Sequence, residues 1–106
     1  MFENLGNMMD VIKKVQQNVQ TIQCELQNER ITASSGDVVT VTVNGQQDII
    51  SIDLNNNYLT SDNHLLLQDL LAATINNALS KSRELNQTAM SKLTSELNLP
   101  NIPGLF

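Results

Sequence analysis

The side chains that could do chemistry in this chain are few and scattered. Its 106 residues include one histidine, His64, and one cysteine, Cys24. The sequence contains no HExxH pair, glycine-rich phosphate loop, serine elbow or clustered set of metal ligands. Asp37, Asp48 and Asp53 fall at predicted turns or strand ends, where turn chemistry explains them without a metal. The sequence therefore predicts a protein that is not an enzyme and that uses no cofactor, metal or small-molecule substrate.

The remaining chemistry is electrostatic. The chain has 6 basic and 11 acidic residues, and its net charge of −5 argues against a nucleic-acid footprint spread over the whole surface. The basic residues are nevertheless segregated, because only Arg30 falls in the predicted sheet region and the others fall in predicted helices. These others are the candidate contacts to DNA phosphates: Lys13, Lys14, Lys81, Arg83 and Lys92.

Solvated ion pairs are the competing interpretation of the same residues. Three of them have an acidic neighbour at helical spacing: Lys14 with Asp10, Lys81 with Glu84, and Lys92 with Glu96. Each such pair is worth only a few tenths of a kcal/mol. Lys13 and Arg83 are then the two cations that are not assigned to an ion pair. From charge alone, a solvated helix face is favoured over nucleic-acid binding.

A small β-sheet between two helices has to position these residues. β-Branched residues are dense in 38–43 and 49–52, and the dipeptide Asn44-Gly45 between them tolerates the positive φ of tight turns. The parity of the pairing puts five apolar residues on one face, which is patterned for burial: Val39, Val41, Val43, Ile50 and Ile52. The loop is either Asn44-Gly45 alone or residues 44–47, and the longer loop sets Val41 against Ile50 and Val39 against Ile52.

A third strand is predicted upstream of this hairpin. Ser34-Ser35-Gly36 forms a three-residue loop with Gly36 in the left-handed conformation, which puts Ile31 beside Val39. The result is a three-stranded antiparallel meander over about residues 29–34, 37–43 and 48–54. Its apolar face has to be covered by a helix or a second sheet.

The N-terminal segment, about residues 4–28, predicts a long helix with a heptad seam. The seam residues follow spacings of three and four: Leu5, Met8, Ile12, Val15, Val19, Ile22 and Leu26. Such a narrow seam indicates a partner helix, either the C-terminal helix of the same chain or a copy of itself in a dimer. An ordinary amphipathic core helix is the other interpretation. Cys24 lies off the seam and is expected to be exposed.

A second long helix is predicted over about residues 62–97, with Thr60, Ser61 or Asp62 as its cap. Its first half carries a broad apolar face typical of core: Leu66, Leu67, Leu70, Leu71, Thr74, Ile75, Ala78 and Leu79. Beyond Lys81 the stripe narrows to Leu85, Ala89, Leu93 and Leu97. The sequence leaves open whether this helix breaks near Asn86-Gln87. Residues 98–106, with Pro100 and Pro103, predict a flexible tail after a single domain of residues 1–97.

The rest of the composition narrows the class further. Aromatic residues are 3% of the chain, so it has no row of rings on which single-stranded bases could stack. It has no apolar run of transmembrane length, no signal-type N-terminus and no second cysteine for an intrachain disulfide. We therefore expect a soluble intracellular protein without membrane insertion.

Taken in order, these motifs resemble the YbaB/EbfC family of small bacterial nucleoid-associated proteins over nearly the whole chain. The resemblance is carried by Met1-Phe2, 5–9 (LGNMM), the Gln-rich first helix, 35–37 (SGD), 39–45 (VTVTVNG), 50–53 (ISID), 70–78 (LLAATINNA) and 90–93 (MSKL). The ending 93–100 (LTSELNLP) is similar to the cyanobacterial and plastid branch.

The resemblance implies an α+β protomer with a helix, a three-stranded meander and one long or two consecutive helices, forming a tweezer-like homodimer. It implies binding of double-stranded DNA through the helical arms with little sequence specificity, in the bacterial cytoplasm and nucleoid or in a plastid stroma. Members of the family commonly carry more Lys and Arg on the helical arms than this chain does, which implies weaker phosphate binding here. The alternative is a protein-interaction module whose arms bind a partner protein in translation or membrane-protein biogenesis.

Overall fold

Two long helices flank a small antiparallel sheet, as predicted. The computed structural model describes the backbone of residues 2–96 and the side chains of residues 8–95. The main elements follow the predicted α+β order: α1 (Phe2–Asn28), β1 (Ile31–Ser35), β2 (Val39–Val43), β3 (Ile49–Leu54) and α2 (His64–Glu96). Short 3₁₀ turns, Asn56–Tyr58 and Ser61–Asn63, precede α2. The predicted flexible tail lies outside the described residues.

The second helix is continuous through Asn86-Gln87, which answers the question that the sequence left open. Its start differs from the prediction, because Ser61 and Asp62 belong to a 3₁₀ turn that runs directly into α2 at His64. Thr60 occupies the cap position of that turn, but its side chain makes no capping hydrogen bond.

The first turn of the meander confirms one part of the prediction and corrects another. The strands pair in the order β1-β2-β3, and Gly36 has the expected left-handed φ of 57°. However, Ser35 pairs with Val39 and Ile31 pairs with Val43, so the predicted proximity of Ile31 to Val39 was wrong. The reason is that β1 continues through Ser35, which moves the turn towards Val38.

The hairpin register is also shifted from the prediction. Val41 pairs with Ile52 and Val39 with Leu54, two residues away from the expected partners. The register changes between Thr42 and Val43, where Thr42 pairs with Ser51 and Val43 with Ile49. The residue left between them, Ile50, is therefore the extra residue of a β-bulge, which a regular two-residue period cannot anticipate.

The Asn44 side chain shapes the loop that causes this shift. Its Oδ1 accepts hydrogen bonds from the backbone N–H of Gln46 at 2.9 Å and of Asp48 at 3.0 Å. The Asn44 N–H donates to the Asp48 carbonyl at 3.0 Å, which closes a loop over residues 44–48. The positive φ in this loop, 67°, belongs to Gln47 and not to the Asn44-Gly45 dipeptide.

The core lies between α2 and the first two strands. Val39, Val41 and Val43 have 0% exposed area, and burial of each valine contributes about 1.5–3 kcal/mol. Val38, Ala33 of β1 and Ala78 of α2 complete the buried cluster. Partly buried side chains of α2 pack around it: Leu67, Leu70, Leu71, Ile75 and Leu79. The broad apolar half of α2 thus covers the sheet as predicted.

The predicted apolar face is only partly covered. Helix α2 packs on β1 and β2. Strand β3 is an edge strand next to β2, and α2 does not cover it. As a result, Ile50 is 45% exposed and Ile52 is 42% exposed, so their predicted burial was wrong. Leu66, expected in the core, is also 45% exposed. It precedes the packed Leu67 by one residue, which places it about 100° around the helix and off the covered stripe.

Burial along α1 falls from its C-terminal end towards its N-terminal end. Leu26 is 3% exposed, and Val15, Val19 and Ile22 are partly buried. Ile12 is 47% exposed and Met8 is 59% exposed, while the side chain of Leu5 lies outside the described residues. The helix has 27 residues, about 40 Å at 1.5 Å each. Its N-terminal half therefore projects as an arm, in a molecule 73 Å long.

Candidate nucleic-acid interface

The two helices form an open cleft beyond the sheet, near the end of α1. Its volume is about 430 Å³. Ile22 and Leu26 of α1 contribute apolar wall, and Leu85 and Leu93 of α2 contribute the opposite one. The polar lining is Asn18, Thr21, Glu25, Glu29 and Lys92. The part of the seam that the structure places beside α2 is therefore its C-terminal half.

All five predicted phosphate contacts are exposed side chains on the helices. Two lie on α1 and three on α2: Lys13, Lys14, Lys81, Arg83 and Lys92. No element of the sheet contributes to this set. The structure thus keeps the positive charge on the helices, as the sequence indicated.

Three of these cations lie on the side of the molecule that carries the cleft. Lys92 lines the cleft directly. Lys14 precedes the lining residues Asn18 and Thr21 by four and seven positions, which places it on the same stripe of α1. Lys81 precedes Lys92 by eleven positions, about three helical turns, and so shares its stripe on α2.

The other two cations face elsewhere. Lys13 is offset by about 100° from Lys14, and Arg83 by about 200° from Lys81, on helices with 3.6 residues per turn. The five candidate residues are therefore divided into a group of three around the cleft and two side chains on other faces. The sequence did not distinguish them by orientation, since it singled out Lys13 and Arg83 only as the cations that were not assigned to an ion pair.

Two of the three predicted ion pairs, those of Lys14 and Lys81, are not formed among the described side chains. Lys81 Nζ donates to the Thr32 carbonyl at 3.3 Å. Among the described side chains, Lys14 forms no hydrogen bond or ion pair with Asp10. The side chain of Glu96, the predicted partner of Lys92, lies outside the described residues.

Acidic side chains limit the extent of the positive surface. Glu25 and Glu29 line the cleft near the sheet. Lys14 lies eleven positions before Glu25, about 16 Å along the helix axis. An anionic ligand is therefore repelled from the base of the cleft, whereas Lys13 and Lys14 lie on the projecting half of the arm, where Asp10 is their acidic neighbour.

Arg30 has a structural role that the sequence did not reveal. Its Nη1 donates to the Gln27 carbonyl at 3.0 Å and to the Glu29 carbonyl at 2.8 Å. The last carbonyls of a helix lack partners within the helix, and a cation there interacts favourably with the helix dipole. Arg30 therefore caps the C-terminal end of α1, and its position just after the helix was the available signal.

The loop over residues 44–48, called here the junction loop, contacts both helices. On the α2 side, Ser82 is fully buried; its Oγ donates to the Asn44 carbonyl at 2.7 Å and accepts from the Gln47 N–H at 3.0 Å. Asn86 Nδ2 donates to the Gly45 carbonyl at 3.2 Å. The loop is therefore attached to α2 at two positions one helical turn apart.

On the α1 side, the Gly45 N–H donates to the Leu26 carbonyl at 2.7 Å. Gln46 Nε2 donates to the Gln23 carbonyl at 3.0 Å. A Cβ at Gly45 would lie 2.8 Å from both the carbonyl oxygen and Cδ2 of Leu26 and 3.0 Å from its Cα. Gly45 is therefore required for close approach to α1 and not for a positive φ.

The remaining metal-ligating and nucleophilic side chains of the described residues are not clustered. They contain no group of three or more His, Cys, Asp or Glu side chains that could hold a metal ion. Cys24 is exposed, as predicted, and its thiol is free. His64 is exposed and lies 3.2 Å from Gln68 through its Nε2. Within the part of the chain that is described, no helix is long and apolar enough to cross a membrane.

Comparisons with known proteins identify the family of the chain. The YbaB/EbfC DNA-binding family model matches residues 1–97. A nucleoid-associated protein of Desulforamulus reducens is 41% identical over 104 residues, 97% of this chain and 96% of the relative. One of Clostridium novyi is 38% identical over 97% of this chain and 89% of the relative. One of Syntrophobacter fumaroxidans is 36% identical over 94% of both chains.

These relatives are bacterial and give no support to the cyanobacterial or plastid branch that the ending 93–100 indicated. The family itself was identified correctly from the order and spacing of the motifs. With the match over residues 1–97 and relatives above 30% identity along nearly its full length, the chain belongs to the YbaB/EbfC DNA-binding family.

Proposed function

We propose that this protein binds double-stranded DNA in the bacterial nucleoid, as a homodimer, through the helical arms. The observation that carries the proposal is the distribution of charge. The chain has a net charge of −5, yet five of its six basic residues are exposed on α1 and α2. Its relatives are named nucleoid-associated proteins, which supports the same conclusion.

The binding mode follows from the chemistry of these side chains. Lysine meets a phosphate as a flexible point charge and carries no information about base sequence. The exposed amides of Gln17 and Gln20 on α1 add hydrogen-bond donors that suit phosphate oxygens. We therefore propose phosphate contacts by Lys14, Lys81 and Lys92 around the cleft, with Lys13 and Arg83 as further contacts from other faces. Little sequence specificity is expected.

The uncovered strand β3 supports the proposal of a homodimer. Ile49, Ile50 and Ile52 are 47%, 45% and 42% exposed on the edge strand of the sheet. A groove of about 610 Å³ begins at the last residue of the same strand, and its apolar lining consists of four leucines: Leu54, Leu59, Leu67 and Leu71. A monomer of this size rarely leaves a contiguous apolar surface open. We propose that a second copy covers it, which places two pairs of arms on one particle.

Light scattering tests the dimer. Twice the mass of 11.7 kDa is expected at micromolar concentration, and Ile52→Asp should shift the particle towards monomer, because it buries a charge at the contact. Ser51→Asp is the matched control, since Ser51 pairs with Thr42 on the opposite face of the sheet. A monomeric mass for the wild type would refute the dimer.

The salt dependence of DNA binding tests the phosphate contacts. Each contact contributes about 0.9 to the slope of log K against log salt concentration for B-DNA. Replacing Lys14, Lys81 and Lys92 with Gln should therefore weaken binding and lower the slope by about 3 for each protomer engaged. Replacing Lys13 and Arg83 with Gln should lower it by about 2 or less.

A variant that removes negative charge instead of positive charge serves as the matched control. Glu25→Gln with Glu29→Gln removes negative charge from the base of the cleft and should tighten binding at low salt. The proposal fails if the wild type shows no shift of a DNA duplex at low salt, or if replacing all five basic residues leaves the affinity unchanged.

A protein partner is the second candidate function, and one observation favours it. The described end of α1 exposes four large apolar side chains: Met8 at 59%, Met9 at 55%, Val11 at 48% and Ile12 at 47%. Such a stripe fits an apolar helix-binding groove on another protein. Association of this kind depends weakly on salt and survives nuclease treatment. Its loss in Ile12→Asp, with DNA affinity retained, would assign the stripe to a protein partner.

A further inference from the structure

The junction loop, residues 44–48, connects the two DNA-binding arms through contacts that have little freedom to adjust. It bonds α2 through Ser82 and Asn86, and it bonds the last turns of α1 through Gly45 and Gln46. The same short segment is therefore attached to the C-terminal end of α1 and to the middle of α2, where the cleft begins. Any change in its conformation is transmitted to both.

The groups that hydrogen-bond the junction loop to α2 are buried. Ser82 has 0% exposed area and Asn44 has 3%. The Ser82 hydroxyl uses both its donor and its acceptor capacity on the loop backbone, at Asn44 and Gln47. Gln47 keeps a left-handed φ of 67° while its N–H donates to this hydroxyl. A non-glycine residue holds such a conformation only where its surroundings determine it.

The contact with α1 is the tightest part of the arrangement. Gly45 approaches Leu26 so closely that a Cβ would meet backbone as well as side chain, at 2.8 Å from the carbonyl oxygen and 3.0 Å from Cα. Backbone cannot rotate away as the end of a side chain can. A methyl group at position 45 therefore has to displace the C-terminal turn of α1 relative to the sheet and α2.

The length of the arm amplifies such a displacement. Lys13 lies 13 residues before Leu26, about 20 Å along the helix axis. A tilt of about 10° at Leu26 therefore moves Lys13 and Lys14 by roughly 3–4 Å, which exceeds the spread of hydrogen-bond lengths to a phosphate oxygen. Small changes at the loop thus become large changes at the cationic end.

We propose that the junction loop is the positioning element for DNA binding: it sets the angle between α1 and α2 so that lysines of both arms reach one duplex together. Gly45, Ser82 and Asn86 act through the arms and do not touch DNA. The inference rests on the proposed DNA-binding function and adds to it the residues that decide whether the two arms engage the same duplex.

Gly45→Ala is the decisive variant, and Gly36→Ala is its matched control. Both place a methyl group on a turn glycine of the sheet, but Gly36 has nothing within 4 Å of the added Cβ. Gly36 also has a positive φ of 57°, so its substitution strains the backbone without pushing on a helix. The pair separates movement of the arms from a general loss of stability.

The angle between the helices is followed by double electron–electron resonance, which measures the distance between two spin labels. The labels are placed at Gln16→Cys on α1 and Ser91→Cys on α2, in a Cys24→Ser background. All three native side chains are exposed. Labelled chains are mixed with excess unlabelled chains so that only distances within one protomer contribute. Gly45→Ala should shift the mean distance by about 2–3 Å, a displacement scaled from the helix rise, whereas Gly36→Ala should leave it unchanged.

DNA binding is then measured on the unlabelled variants across a salt series. In Gly45→Ala we expect at least a tenfold loss of affinity at fixed salt and a lower slope of log K against log salt, since fewer phosphates are engaged at once. A variant that is only less stable keeps the slope. Gly36→Ala should keep the slope and remain within twofold in affinity. If Gly45→Ala does not fold, Asn86→Ala provides a milder change at the same loop residue, because it removes the hydrogen bond from α2 to the Gly45 carbonyl.

The outcomes separate this inference from the proposed function. A shifted distance with unchanged affinity and slope overturns the positioning role and leaves DNA binding intact. An unchanged distance in both Gly45→Ala and Asn86→Ala overturns the claim that the loop sets the angle. Absence of DNA binding by the wild type refutes the proposed function, and the distance measurement still reports whether the loop controls the arms.

Discussion

Ser82→Ala tests how strongly the junction loop is held to the helix, because one buried hydroxyl makes two hydrogen bonds there. The Gln47 N–H and the Asn44 carbonyl both lose a partner, at 3.0 Å and 2.7 Å. A buried polar group left without its partner costs about 1–3 kcal/mol. The penalty is moderated because the Gln47 N–H keeps a longer bond to the Asn44 carbonyl at 3.3 Å. Alanine also gains about 0.5 kcal/mol in helix propensity. We expect a net loss of about 2 kcal/mol.

Thermal and urea unfolding measure this loss. For a domain near this size, about 2 kcal/mol corresponds to a fall in Tm of roughly 8–15 °C. All variants are compared at one chain concentration, since association of chains shifts the apparent stability. Ser80→Ala is the control, because Ser80 is exposed two residues earlier on the same helix. It should be neutral or slightly stabilising. A Ser82→Ala protein within about 0.5 kcal/mol of the control would refute the role assigned to the hydroxyl.

Three further substitutions test other parts of the fold, each by urea unfolding. Gln47→Gly relieves the left-handed φ of 67° and should raise the free energy of unfolding by about 0.5–1 kcal/mol; a decrease would show that the conformation carries no strain. Val41→Ala removes two methyl groups from a fully buried position under α2 and should cost about 2 kcal/mol, against little change for the exposed Ser51→Ala. Arg30→Ala removes the cap of α1 and should cost about 0.5–1 kcal/mol, less at high salt; equal stability at all salt concentrations would argue against the cap.

The elements of this fold were predictable because their signals are local. Alternation of valine and threonine over 39–43 predicts a half-buried strand, and the apolar spacing of three and four residues predicts both helices. The φ of Gly36 was predictable for the same reason, since a short loop between strands favours glycine in the left-handed region. The exposure of Cys24 followed from its position off the apolar seam.

The candidate interface was predictable in composition but not in arrangement. Counting charges by element identified the five cations on the helices. Which of them share a side of the molecule depends on the phase of α2 relative to α1, and that phase is set by tertiary contacts of α2 with the sheet and with α1. Lys14 and Lys92 fall on the side of the cleft for this reason. Sequence spacing within either helix alone contains no such information.

The sequence by itself determined the order of helices and strands and the faces of β2, because these depend on residues close together in the chain, and it determined the family through the order of its motifs. Only the tertiary structure decided the register of β3, the exposure of its isoleucines and the attachment of the arms. The hydrogen bonds that make this attachment join residues far apart in the chain, with Ser82 bonding Asn44 across 38 positions and Asn86 bonding Gly45 across 41. Contacts over such separations form only when the whole fold brings the two partners together.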